Sequence, residues 1–202
     1  YEICSTVMDF QFTATIEHFL EGDEIGRQFS TIYTITNFTA LFVQLFLTGF
    51  VLSKLGQHIA LLILPCAMVM GSVAFLVMPV LWVGSFLNTV DNGLSYSLNQ
   101  SSKELLYVPT SRDEKYKAKA FIDVFILRFS KALAVFVTLT ITALFTAQNA
   151  AGDTELVFER LRWLSLFSVG LIVVWVYAAR YAARIFDKIA AEESREGSAP
   201  VA

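Results

Sequence analysis

The chain has 202 residues, of which 55% are hydrophobic and only 16% charged, with a formal net charge of −3. Soluble domains carry about a quarter charged residues, so this composition, with a mean hydropathy of +0.59, excludes an ordinary water-soluble fold. Cys4 and Cys66 both lie in apolar stretches, which argues against a disulfide framework or a cysteine metal site.

A membrane-crossing helix needs roughly 20 mainly apolar residues. Six such segments are predicted, at 1–20, 28–52, 58–78, 81–106, 118–147 and 158–185. The charged, then small and polar stretch 187–202 is predicted to be a disordered tail. The chain opens on Tyr1 inside an amphipathic segment, without the pattern of a signal peptide, and reads as the later part of a longer polypeptide.

The first segment places Glu2, Thr6, Asp9, Thr13 and Glu17 on one helical stripe. Three acids on one stripe are hard to satisfy by packing alone, which favours a water-filled cavity beside this helix. The second repeats the pattern with Ser30, Tyr33, Asn37, Gln44 and Thr48, where a structural seam is an equally good reading. The third has no internal charge and is interrupted only by Pro65, so it is predicted to be peripheral and lipid-facing.

The turn after the second segment runs Gly49-Phe-Val-Leu-Ser-Lys54-Leu-Gly56. Gly49 is expected to allow close helix approach, Gly56 to permit the turn, and Lys54 to pair with a carboxylate or cap carbonyls. This pattern resembles the loop signature of the major facilitator superfamily, with Gln57 and His58 standing where that family carries two bases. The resemblance implies one six-helix half of a twelve-helix carrier, here the C-terminal half, with the N-terminal six-helix half as its partner.

The fourth segment carries Asn88, Asp91, Asn92, Ser95, Asn99 and Ser102 on one broad face, and reads as the wall of a pathway or a polar seam. Gly93 sits within it and would admit a neighbouring helix. A basic loop follows, with Arg112, Lys115, Lys117 and Lys119 after Lys103. Pro109 ends the helix, and Thr110 or Ser111 is placed to start a turn. Lysine and arginine also concentrate at Lys54 and beyond Arg180, so the even-numbered loops and both chain ends are predicted to be cytoplasmic.

The fifth segment carries Arg128 and Lys131 at i, i+3 inside an apolar span, where they could hold a phosphate or carboxylate or pair with internal acids. The run KELLYVP, a short polar turn, then KYKAKAFID resembles the ATP/ADP translocases of plastids and obligate intracellular bacteria. That resemblance implies exchange of a nucleotide, and a place in a bacterial inner membrane or an organelle envelope. This chain lacks the glycine and proline those carriers place around the position of Lys131.

Substrate-binding candidates are therefore Lys103, Arg128, Lys131, Asn37 and Tyr33. Proton-carrying or charge-balancing candidates are Asp9, Asp91, Glu104 and Asp123, and a gating loop is formed by Gly49, Lys54 and Gly56. The expected partners are the lipid bilayer and a small anionic substrate, a nucleotide or phosphorylated metabolite, with no nucleic acid and no cofactor. No P-loop, GxSxG or HExxH is present, so an enzyme is not expected. The competing reading is a transporter-like membrane protein used for lipid translocation, or as a scaffold for a fused regulatory domain.

Overall fold

The structure is a computed structural model and describes residues 1–148, 154–156 and 158–196. Helix α1 (Glu2–Phe19) is followed by α2 (Asp23–Phe42), a π-helical stretch (Val43–Leu47), the single turn α3 (Thr48–Phe50) and a second π-helical stretch (Val51–Leu55). The hydroxyl of Thr48 donates to the carbonyl of Val43 at 3.0 Å, five residues back, which reinforces the wide turn. Then come α4 (Gly56–Val77), α5 (Leu81–Leu94), a third π-helical stretch (Ser95–Asn99) and α6 (Gln100–Leu105). Helix α7 (Arg112–Phe121) runs through a fourth (Ile122–Ile126) into α8 (Leu127–Phe145). Strands β1 (Thr146–Gln148) and β2 (Thr154–Leu156) pair antiparallel, and α9 (Phe158–Leu161) and α10 (Leu164–Glu196) complete the chain.

The run Asp23–Val77 is helical over 55 residues, far longer than a bilayer is thick, and it folds back on itself at Gly56. Gly56 has φ 81° and ψ 169°, a region open essentially to glycine alone. The reversal brings Val43, Val51 and Ala60 into one apolar cluster with Leu98. It also brings both far ends to the start of α5: Gln28 donates to Ser85 at 3.3 Å, and the Phe75 ring lies 3.6 Å from where a side chain at Gly84 would begin. Gly56→Ala is expected to destabilise the hairpin by about 1–3 kcal/mol. Faster hydrogen exchange over residues 51–60 is the readout, and unchanged exchange there would contradict it.

Helix α1 is the centre of the packing. Cys4 and Met8 enter a core with Leu64, Met68, Phe75, Leu87 and Ile172, drawn from α4, α5 and α10. Val7 and Ala14 pack with Leu161 and Leu164 on another side. Gln11, fully buried, donates to the Leu161 carbonyl at 3.0 Å and to Ser165 at 3.2 Å. Helix α8 lies against α1 and leaves most of its surface uncovered, with Phe129, Val135, Phe136 and Leu139 all exposed. Phe38 on α2, Leu45 and Phe46 on the π-helical stretch after it and Trp82 on α5 are exposed in the same way, an apolar surface for lipid or another membrane segment.

Three runs are long and apolar enough to cross a membrane: Asp23–Val77, Arg112–Leu144 and Leu164–Ala191. Helix α1 and the α5–α6 run are not among them, because their acids and amides lower their hydropathy.

Helices occupy the predicted segments with shifted ends, the fifth giving way to β1 at Thr146, and three of the runs are long and apolar enough to cross a membrane. The fifth helix starts at Arg112, because Ser111 and Glu114 form a reciprocal capping box. The sixth continues to Glu196, into the stretch expected to be a disordered tail; residues 197–202 lie outside those described. Its extension is tied to α4 by His58 Nε2 and Asp187 Oδ2 at 2.5 Å. Helix α4 is lipid-facing on one side only, where Met70 and Val77 are exposed, while Leu64, Met68 and Phe75 are in the core. Gly49 meets open space, so it is not a point of close approach. Close approach occurs at Gly93, whose missing side chain admits Thr39 of α2, and at Gly71, where an added methyl would collide with Leu87.

Candidate functional site: a charged cavity at the basic end

A cavity of about 590 Å³ opens among α1, the α5–α6 run and the α7–α8 run, at the end of the bundle that carries the turn 106–111. The polar stripe of α1 supplies Glu2, Ser5, Thr6 and Asp9. The face of the α5–α6 run supplies Asn92, Ser95, Tyr96, Gln100, Lys103 and Glu104, and Tyr107 follows from the turn. Across from them stand Lys119, Asp123 and Lys131, with Ile122, Leu127 and Val135 as apolar wall. The two polar stripes meet because α1 and α5 bury their apolar faces elsewhere, in the Cys4–Leu87 core.

Among the described residues the cavity charges form one ion pair, and Glu2, Asp9, Asp123, Lys103 and Lys131 stand outside it. Lys119 Nζ is 2.6 Å from Glu104 Oε1, so that pair neutralises itself across the mouth. Asp9 Oδ1 accepts from Asn88 Nδ2 at 2.8 Å and remains at the cavity wall. Lys103 and Lys131 line the cavity without a carboxylate in ion-pair range; among the described residues the ion pairs are His58–Asp187 and Lys119–Glu104. The Lys103 ammonium instead sits 4.9 Å from the centre of the Tyr1 ring. In the turn, the Tyr107 phenol is pushed above its ordinary range by burial, with Asp123 and Glu104 adding to the effect.

Asp91 lies behind the wall. It is completely buried, its Oδ2 accepts from Ser5 Oγ at 2.6 Å, and its Oδ1 has no hydrogen-bond donor among the described residues. Ser5 is thus shared between the cavity and the buried carboxyl, and its Oγ is also 3.4 Å from the Tyr1 hydroxyl.

Of the residues singled out in the sequence, the structure brings Asp9, Lys103, Glu104, Asp123 and Lys131 into one cavity and sets Asp91 against it. Arg128 is exposed on α8 and is not part of the lining, although it stands one turn from Lys131. Tyr33 and Asn37 are exposed on α2, away from this lining. Lys54 is exposed near the Gly56 reversal and makes no ion pair there. Ser5, Tyr96, Gln100 and Tyr107 were not singled out as site residues. A stripe reading finds Ser5 only when its pairing with Asp91, 86 positions on, is known.

A family model described as TLC ATP/ADP transporter matches residues 76–186. The chloroplastic ADP,ATP carrier protein 2 of Arabidopsis thaliana is 26% identical over 192 residues, 83% of this chain and 28% of that protein. ADP,ATP carrier protein 1 of Chlamydia muridarum is 25% identical over 153 residues, 65% of this chain and 29% of its own length. ADP,ATP carrier protein 1 of Rickettsia conorii is 28% identical over 98 residues, covering 48% of this chain and 18% of the relative. This chain therefore spans under a third of the length of these curated relatives, whose names are those of carriers and not enzymes. No solved structure matches it. Since the family match takes in more than half of the chain, with every cavity residue contributed from beyond α1, the chain belongs to the TLC ATP/ADP transporter family.

Proposed function

We propose that this chain is the C-terminal, six-crossing half of a secondary carrier that exchanges a nucleotide of the ATP/ADP type by alternating access. The observation that carries this reading is the pair of lysines, Lys103 and Lys131, held on opposing walls of one cavity without carboxylate partners. A polyphosphate needs such point charges, and Lys103 is partly buried while Lys131 is exposed at the cavity lining. The volume lies in the range of small-ligand sites. Tyr96 or Tyr1 on the same wall offers a ring face to the base, a role that falls to them rather than to Tyr33. Asp9 and Asp123 balance the bases when the substrate has left.

The membrane arrangement follows the same logic. Helix α1 and the α5–α6 run cross with their acids and amides turned inward, because only a water-filled or protein-lined interior accommodates such groups. The matching N-terminal half covers the open side, in a major facilitator-type pairing, and the turn 106–111 and both chain ends lie on the cytoplasmic side, where the basic residues concentrate. The membrane is a bacterial inner membrane or an organelle envelope.

The test is uptake of labelled ATP by proteoliposomes holding the full-length carrier and loaded with ADP. Uptake that requires internal ADP is expected. ATP entry no faster than leakage, with or without internal ADP, would overturn the nucleotide assignment.

A further inference from the structure

Asp91 is the strongest unexplained group in the molecule. A carboxyl with no solvent exposure and, among the described residues, a single hydroxyl donor and no cation within ion-pair range is costly to keep ionised. Two buried oxygens near it lack partners of the complementary kind. Asp91 Oδ1 has no donor, and neither has Asn88 Oδ1, three residues earlier on the same helix and so on its neighbouring turn. A proton on Asp91 removes the buried charge and adds a donor to a region short of donors.

We propose that Asp91 carries a proton through the transport cycle, exchanged with the cavity through the Ser5 hydroxyl, so that nucleotide movement by this carrier is coupled to proton movement. This deepens the nucleotide-carrier reading and rests on it. Ser5 lines the cavity and donates to Asp91 Oδ2 at 2.6 Å, so it is the link between water and the carboxyl. A hydronium ion in the cavity passes a proton to Ser5 Oγ as the Ser5 proton moves to Asp91. One water and one carboxylic acid result, and the reverse transfer on the other side of the cycle restores the carboxylate.

The surroundings do not offer a competing carrier for the charge. Tyr1 and, from α1, Glu2, Cys4 and Asp9 face Asp91; the cation among them is the Tyr1 amino group, which forms no ion pair with Asp91. Helix α2 has its charges, Asp23, Glu24 and Arg27, in its first five residues, and its Tyr33 is exposed. The titratable groups of α4 are His58, paired to Asp187, and Cys66, which is exposed. The α5–α6 run adds Tyr96, exposed at the cavity, and Lys103, whose ammonium lies over the Tyr1 ring and forms no ion pair with Asp91.

The experiment uses the full-length carrier in ADP-loaded proteoliposomes containing a pH-sensitive dye, with labelled ATP outside. An inward proton gradient is expected to stimulate ATP uptake, and uptake to acidify the lumen. In Asp91→Asn both the stimulation and the acidification are expected to vanish. In Ser5→Ala both are expected to fall, and in Ser5→Thr to return. Stimulation and acidification retained at the parent level in Asp91→Asn would overturn the proposal. Should Asp91→Asn fail to fold, undiminished coupling in Ser5→Ala overturns it instead. Stimulation that depends on external sodium rather than on pH also overturns it. Parent protein that exchanges ATP for ADP with no response to pH sinks this proposal alone, whereas parent protein that takes up no ATP sinks the nucleotide reading.

Discussion

Replacing Lys103 or Lys131 by alanine is expected to raise the half-saturating ATP concentration for exchange by about tenfold to a hundredfold each. That range corresponds to the roughly 1.5–3 kcal/mol of a hydrogen bond to a charged group. Both ammonium groups lie in the cavity without a carboxylate partner, so neither has to leave an ion pair to meet a phosphate. Arginine at either place keeps the charge and is expected to recover part of the loss. Lys119→Ala is a contrasting case and is expected to change the half-saturating concentration little, because Lys119 is already paired with Glu104 at 2.6 Å in a solvent-screened position. Arg128→Ala is expected to change affinity less than Lys131→Ala, since the guanidinium is outside the cavity lining. Initial uptake rates against ATP concentration give the readout. Equal effects at Lys131 and Arg128 would place the anion outside this cavity.

Gly71→Val is expected to be the most damaging small-residue substitution away from the cavity, at about 1–3 kcal/mol of lost stability. Even a methyl at Gly71 collides with Leu87, and Leu87 is fixed in the core with Phe75, Met68 and Cys4. Helices α4 and α5 must separate to admit the valine, or Leu87 must leave its rotamer. Gly49→Val is the control, since Gly49 faces open space. Cys4 provides an internal reporter, buried in the same core, and Cys66, one turn from Met70 on the exposed side of α4, is replaced by alanine so that Cys4 alone reports. On heating with a thiol-reactive dye, Cys4 is expected to become reactive at a lower temperature in Gly71→Val than in the parent. Coincident melting of the two would show that the α4–α5 contact is loose.

Much of this arrangement is legible in the sequence where a helix obeys one period. The stripe Glu2, Thr6, Asp9 predicts a wet face for α1, and the structure puts those three residues in the cavity. On the next run Asn92, Ser95 and Lys103 reach the cavity as well, whereas Asn99 and Ser102 of the same predicted face are buried outside its lining. Legibility fails where a neighbour decides. Arg128 and Lys131 sit three residues apart, yet α8 touches the bundle mainly along α1, and that contact turns only Lys131 toward the cavity. The stripe of α5 divides likewise: Asn92 and Ser95 reach the cavity, while Asp91 and Asn88 face α1 as partners of Ser5 and Asp9. Tyr33 and Asn37 have a helical period that says nothing about which helix lies opposite. The early start of α7 was within reach, because Ser111 and Glu114 have the spacing of a capping box.

The central claim is that the charged cavity is water-accessible and holds the substrate. Asn92→Cys, in the full-length carrier with every native cysteine replaced, tests it by labelling with a membrane-impermeant thiol reagent, with and without ATP. Labelling that ATP suppresses in a concentration-dependent way is the predicted result. A thiol at position 92 that reacts no faster in the folded carrier than in the lipid-facing position of Met70→Cys, or that ATP leaves unprotected, would contradict the account.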